Sequence, residues 1–173
     1  MDISSVKNKS FGGSKFWLLI EDENTSMKWS YFLNKKSDLA TKVVSFVKAM
    51  KQKDPESPKF LRCDNAGENK TCEQKCNEEQ LGIKFEFTAP NTPQQNGKVE
   101  RSFATLYGRV RAMMNNAGFH AEYRSGLWTE CAATATKLSN LLTGSDGHSA
   151  YYRFHGEHPK FVRDLKVFGE VCI

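Results

Sequence analysis

The stretch from Val99 to Ala117 constrains the chain most. Val99, Phe103, Leu106, Val110, Met113 and Ala117 follow one another by four and three residues, the spacing that lines one face of an α-helix. A helix with one apolar face needs a layer to lie against. Short apolar runs supply it. "KFWLLIED" (15–22) and "KWSYFLN" (28–34) read as strands joined by the polar turn "ENTS" into a hairpin. "KFLRC" (59–63) reads as a short buried strand, and "IKFEFT" (83–88) alternates like another.

Between these strands lie further helices. In "KSDLATKVVSFVKAMKQ" (36–52), Leu39, Val43, Phe46, Val47 and Met50 hold helical spacing, with Ser37 placed to cap the N-terminus. "ENKTCEQKCNEEQLG" (68–82) is a polar helix closed by Gly82, and "GLWTECAATATKLSNLL" (126–142) is small and apolar enough to be well buried. Gly118 stops the long helix. From Gly144 onward the chain is turn-rich, with one strand expected in "LKVFGEVCI". Strands flanked by helices predict an α/β layer architecture. No linker or repeat divides it, and 173 residues suit one domain with one sizeable core.

Composition narrows the class further. A net charge of +5 favours acidic partners without naming one. The longest strongly apolar run, "FWLLI", is far short of the roughly 20 residues that cross a bilayer, so no membrane association is expected. No basic-then-apolar leader follows Met1, so no secretory signal is expected either. Five irregularly placed cysteines then read as reduced thiols in an intracellular compartment. Cys72 and Cys76 form a C-x3-C pair to which His155 and His158 could add a zinc-binding second pair. Buried or idle thiols are the plainer reading.

Three carboxylates stand at element boundaries. Asp64 sits where a buried strand meets a loop, Glu100 near the first turn of the long helix, and Asp2 ahead of "ISSV", the end of a further strand. Acids gathered from separate elements repel unless a cation compensates them. Oxygen-only ligands favour Mg²⁺ or Mn²⁺ over zinc. The residues alone leave another reading open, in which Asp64 is a turn residue and Glu100 a first-turn acid favoured by the helix dipole. Before Glu100, "PNTPQQNGK" has the composition of a mobile active-site loop. Gln95 and Asn96 can donate to phosphates or bases. Lys98 and Arg101 flank Glu100 at a helix N-terminus that itself favours anions, or else simply solvate the helix. Arg109 and Arg111 read as surface charges or subunit contacts. Trp17, Trp29, Tyr31, Phe32 and Trp128 read as packing residues, while Tyr151, Tyr152 and Arg153 could stack on bases.

Together "LRCDNAGEN", "TAPNTPQQNGKVER" and the spacing from Asp64 to Glu100 resemble the catalytic core of integrases from copia-type LTR retrotransposons. That family belongs to the retroviral integrase superfamily of DDE strand transferases. "IEDENTSMKWSYFLNKKSD", "LWTECAATATKLSNLL" and "DLKVFGEVC" extend the similarity over nearly the whole chain. The resemblance implies a ribonuclease H-like fold with a mixed five-stranded sheet flanked by helices. It implies a catalytic core over 1–143, its first strand truncated at Met1, and a C-terminal extension over 144–173. Asp64 matches the second acid of the triad, Glu100 the third, and Asp2 the first by order. Asp22 competes for that place but matches the hairpin turn.

The implied activity is DNA strand transfer and phosphodiester cleavage with two Mg²⁺ or Mn²⁺ ions held by Asp2, Asp64 and Glu100. The implied partners are double-stranded DNA, contacted through Gln95, Asn96, Lys98 and Arg101, and further copies in a homodimer or larger homo-oligomer. The implied location is the nucleus and a cytoplasmic virus-like particle. The chain departs from the family in "DISSVK", which lacks a Gly-Pro after the first acid, and at Ala66, where the family carries the first of two glycines. A catalytically inactive remnant that binds DNA or self-associates is the alternative, and a stand-alone ribonuclease H-like nuclease would need the same acids.

Overall fold

The structure is a computed structural model that describes residues 1–88 and 96–170. Its centre is strand β2 (Phe16–Glu21), in which Trp17, Leu18, Leu19 and Ile20 are all buried. Successive strand residues point to opposite faces, so this run feeds two cores. Leu18 and Ile20 join one cluster, and Trp17 and Leu19 join the other. Strands β1 (Asp2–Ser5) and β3 (Lys28–Leu33) pair with β2 on either side, both antiparallel. Asp2 lies opposite Leu19.

The β2–β3 hairpin is closed by Asp22, whose Oδ2 accepts from the Thr25 backbone N–H at 2.7 Å and from Thr25 Oγ1 at 2.6 Å. An acid that folds its own turn in this way is an Asx-type device. Asp22 is thus the hairpin residue its sequence position implied.

Parallel strands β4 (Phe60–Cys63) and β5 (Lys84–Phe87) form a second sheet, in register from Phe60 opposite Lys84 to Cys63 opposite Phe87. Their crossover is helix α2 (Gly67–Glu78), the connection that parallel strands require. The expected single five-stranded sheet is therefore corrected: among the described residues there are sheets of three and two strands. A hydrogen bond links them at their margin. The Met1 ammonium group donates to the Arg62 carbonyl at 2.6 Å, with no ladder between β1 and β4. They nevertheless share a core, in which Leu18 and Ile20 of β2 pack with Leu61 and Cys63 of β4.

Helix α1 (Leu39–Lys53) covers that core with Leu39, Val43, Phe46 and Val47. Ser37 does not cap it: Ser37 lies inside a 3₁₀ turn (Lys36–Asp38), and Asp38 Oδ2 instead accepts from the Lys35 N–H at 3.1 Å. Helix α2 adds Cys72 and Cys76, fully buried beside Cys63. Burial pushes the Cys63 and Cys72 thiols up to about 12 and Cys76 to about 11, which keeps them protonated and inert. His155 and His158 lie exposed on another segment.

The second core lies under the long helix α3 (Gly97–Asn116), whose Val99, Phe103 and Leu106 are buried as their spacing predicts. Trp17 sits at its centre, 0% exposed. Its ring centroid lies 5.0 Å from Tyr107, 5.2 Å from Phe103 and 6.5 Å from Trp128. Its indole N–H donates to Ser30 Oγ at 2.8 Å, and Ser30 Oγ is bonded to Thr136 Oγ1 at 2.7 Å. Thr136 belongs to helix α5 (Trp128–Leu141), which follows the one-turn helix α4 (Ala121–Arg124). Asn140 of α5 accepts from the Lys28 N–H at 3.0 Å and donates to the Lys28 carbonyl at 2.8 Å, which fixes α5 to β3.

The C-terminal part differs from expectation in two places. Residues 150–155 form helix α6 (Ala150–His155) where only turns were expected: Ser149 Oγ accepts from the Tyr152 N–H, and Gly156 ends the helix at φ 74°. Residues 165–170 form no strand, and the rest of "LKVFGEVCI", with Cys172, lies outside the described residues. Tyr152 stacks between His148 and His158, with both centroid distances 4.6 Å. Among the described residues no helix is long and apolar enough to cross a membrane.

Trp17 is the test of this packing. Replacing it with Ala should cost about 3–5 kcal/mol, as for other buried large aromatics. For a domain of this size that lowers the unfolding midpoint by roughly 10 °C, measurable by thermal scanning, while Trp29→Ala, on the other face and only partly buried, costs less.

Candidate active site: three acids on three elements

Asp2 stands at the start of β1, Asp64 at the C-terminal end of β4, and Glu100 in the first turn of α3. Their places follow from β2 and the two cores it feeds. β2 carries Asp2, through the pairing of Asp2 with Leu19. Burial of Leu61 and Cys63 ends β4 at Asp64, and burial of Val99 and Phe103 sets the rotation of α3. Tyr107 of α3 donates to Ser4 Oγ at 2.9 Å and so ties the helix bearing Glu100 to the strand bearing Asp2.

Asp2 feels the other two carboxylates. Asp2 is half-buried, and desolvation holds its carboxyl above the ordinary Asp value. The N–H of Ile3 opposes this by donating to Asp2 Oδ1 at 2.8 Å, while the negative charges of Asp64 and Glu100 push it further up. Asp64 and Glu100 themselves are exposed. Asp64 Oδ1 accepts from the Ala66 N–H at 3.2 Å and from the Asn69 side-chain amide at 2.5 Å. Asn69 also donates to the Asp64 carbonyl at 3.2 Å, and it is only 4% exposed. Asn69 was missed as a site residue; the signal was a polar amide in a helix turn that follows the acid at once.

The donor set, three carboxylates, suits a hard divalent cation. The spacing is looser. Among the described residues no three His, Cys, Asp or Glu side chains stand close enough to hold one ion in common.

Beside the acids a cavity of about 360 Å³ gathers Asn96, Lys98 and Arg101 with Met1, Arg62, Glu21 and Glu23. The sequence placed the first three together, and so does the structure. Asn96 is nearly buried, and its carbonyl accepts from the Glu100 N–H at 3.2 Å. Lys98 bridges to the hairpin, donating to the carbonyls of Asp22 and Glu23. Arg101 is exposed. Gln95 lies outside the described residues. Arg62 was not foreseen. It pairs with Glu23 at 3.1 Å and Glu86 at 3.0 Å. Glu21 was not foreseen either: it pairs with Lys28 at 3.3 Å while its Oε2 is buried with no hydrogen-bond partner among the described residues.

The raised carboxyl of Asp2 has a pH signature. A folded-state value above the unfolded one means that the native chain holds this proton to higher pH than the unfolded chain does. Stability then falls as pH rises from the ordinary Asp range through the raised value, and the loss is complete above it. Asp2→Asn should remove that fall and, without divalent cations, raise the unfolding midpoint near neutral pH by up to a few degrees. Thermal scans of both proteins across acid to neutral pH are the check.

No family model matches the chain. Over 134 residues, 76% of its length, it is 31% identical to the retrovirus-related Pol polyprotein from transposon TNT 1-94 of Nicotiana tabacum. Over 173 residues, 99% of its length, it is 24% identical to the retrovirus-related Pol polyproteins from transposons RE2 and RE1 of Arabidopsis thaliana. The chain spans about a tenth of the length of these curated relatives, 10% in the first case and 11% in the others. On these matches the chain belongs with the Pol polyproteins of copia-type retrotransposons, as a relative of one segment consistent with their integrase core.

Proposed function

We propose that this chain is an integrase catalytic core of ribonuclease H-like descent that cleaves and joins DNA phosphodiesters. The observation that carries the reading is geometric: β1, β4 and α3, which all pack against β2, present Asp2, Asp64 and Glu100 at their ends, and the Tyr107–Ser4 hydrogen bond ties α3 to β1. Like charges drawn from three elements cost stability and serve no packing purpose. Sites that store such repulsion are functional candidates.

In this reading Asp2, Asp64 and Glu100 would hold Mg²⁺ or Mn²⁺, which would supply nucleophile activation and charge stabilisation for phosphoryl transfer. Asn69 fixes Asp64 by holding one carboxylate oxygen and the backbone carbonyl, so the other oxygen keeps a set direction. Arg101, Lys98 and the first N–H groups of α3 offer positive potential to a DNA phosphate beside Glu100. Lys98 would first have to leave the hairpin carbonyls.

Asp64→Asn should abolish metal-dependent nicking and joining of DNA ends, with the thermal midpoint within a few degrees of the parent. Activity that survives the change refutes the assignment. Asn69→Leu should weaken Mn²⁺ binding by about 10–100-fold, the usual cost of losing a group that orients a ligand.

A second reading, a DNA-binding or self-associating remnant without catalysis, is favoured by one observation: no set of three acids is close enough to share an ion among the described residues. Calorimetric titration with Mn²⁺ separates the two. Saturable binding that Glu100→Gln removes supports the enzyme; no binding supports the remnant.

A further inference from the structure

Strand β3 is the outer margin of the three-stranded sheet: among the described residues β2 is the one strand that pairs with it. In an antiparallel pair, alternate residues turn their N–H and C=O groups toward the partner strand or away from it. The bonds present show which are which. The carbonyls of Met27 and Leu33 point inward, accepting from the N–H groups of Asp22 at 2.8 Å and Lys15 at 2.9 Å. Lys28 points outward, where the Asn140 amide takes both of its groups. Ser30 and Phe32 follow Lys28 at steps of two, so their N–H and C=O groups also face outward. No backbone group among the described residues bonds to them.

A groove of about 260 Å³ lies along this margin. Lys28, Trp29, Ser30 and Tyr31 all line it. Neighbouring strand residues point to opposite faces, so a space that touches all four lies over the strand's edge rather than on either face. Ala133 and Lys137 of α5, Tyr151 of α6 and Phe161 line it as well. No Asp or Glu does. The Lys28 ammonium group already pairs with Glu21. Lys137 is exposed, with its Nζ 4.3 Å from the centroid of the Phe161 ring, and gives the groove its free positive charge.

These features sort the possible occupants. A nucleic acid strand would answer Lys137 but carries no peptide groups in strand register. A second copy of this chain would have to bring its own margin in between α5 and Phe161. We propose that β3 docks an extended acidic peptide of a partner protein, which adds a fourth strand paired at Ser30 and Phe32. In strand addition the main-chain bonds supply affinity and the side-chain pockets supply specificity. Here a carboxylate of the peptide meets Lys137, an apolar side chain enters beside Trp29, Tyr151 and Phe161, and Asn140 stops the pairing short of Lys28. This surface is independent of the phosphoryl-transfer reading.

Fluorescence anisotropy with the whole chain and a labelled, end-blocked peptide, Thr-Val-Glu-Phe-Glu-Val-Thr, tests it. Binding should saturate, and exchanging both glutamates for lysines should weaken it by about tenfold or more, the scale of like charges brought together. Methylating the amide nitrogens along one edge of the peptide should abolish binding, and methylating those along the other edge should not, because only one edge faces β3. Lys137→Glu should reverse the preference between the acidic and basic peptides. Ala133→Trp, at an exposed position on the groove, should block both. The proposal is overturned by an absence of saturable binding, by equal effects of the two methylation patterns, or by an unchanged preference in Lys137→Glu. Undiminished binding in Ala133→Trp overturns it too. Oligothymidylate that binds where the peptide does not, and is lost in Ala133→Trp, gives the groove to nucleic acid instead. A dimer in sedimentation that Ala133→Trp dissolves, without peptide binding, gives it to a second copy. If either variant does not fold, the two methylated peptides decide on the parent chain.

Discussion

Four consecutive side chains of β2, from Trp17 to Ile20, are buried against two different cores, and the remaining elements take their places from that division. A strand covered on one face only would alternate apolar with polar residues; this one cannot, because α1, α2 and β4 lie on one side of it and α3 and α5 on the other. The consequence reaches the acids. β1 pairs with β2 and presents Asp2, β4 packs against the Leu18–Ile20 side and ends at Asp64, and α3 packs over Trp17 and begins beside Glu100. One strand thus brings together carboxylates that no single element could supply.

Holding them there has a cost, and the surrounding bonds show how it is met. Asp64 is gripped at both its carboxylate and its carbonyl by Asn69. Tyr107 and Ser4 lock α3 to β1. These bonds limit how far the acids can drift apart under their repulsion. They do not bring three of them within reach of one ion. The arrangement therefore resembles an opened hand more than a closed cage.

Much of this was legible in the residues, and the reasons differ from element to element. Helix α3 was readable because its apolar residues keep one face over five turns, and the hairpin turn at Asp22 because the polar stretch "ENTS" separates two apolar runs. The sheet division was not readable. Whether β1 and β4 form a ladder depends on where two distant segments touch, and no local pattern in "DISS" or "FLRC" records that. Helix α6 could have been found: Ser149 and Gly156 bracket it as start and stop signals, but its six residues are too few for periodicity to speak.

Asn140 carries a consequence of a different kind. To Lys28, at the open margin of the antiparallel sheet, it presents the same donor and acceptor couple that a neighbouring strand would offer. Bare margins of this sort invite other chains to add on and propagate into fibres. With the amide seated there, an added strand would have to displace Asn140 before its bonds at Lys28 could form. The last turn of α5 thus takes, at that one residue, the place of a neighbouring strand.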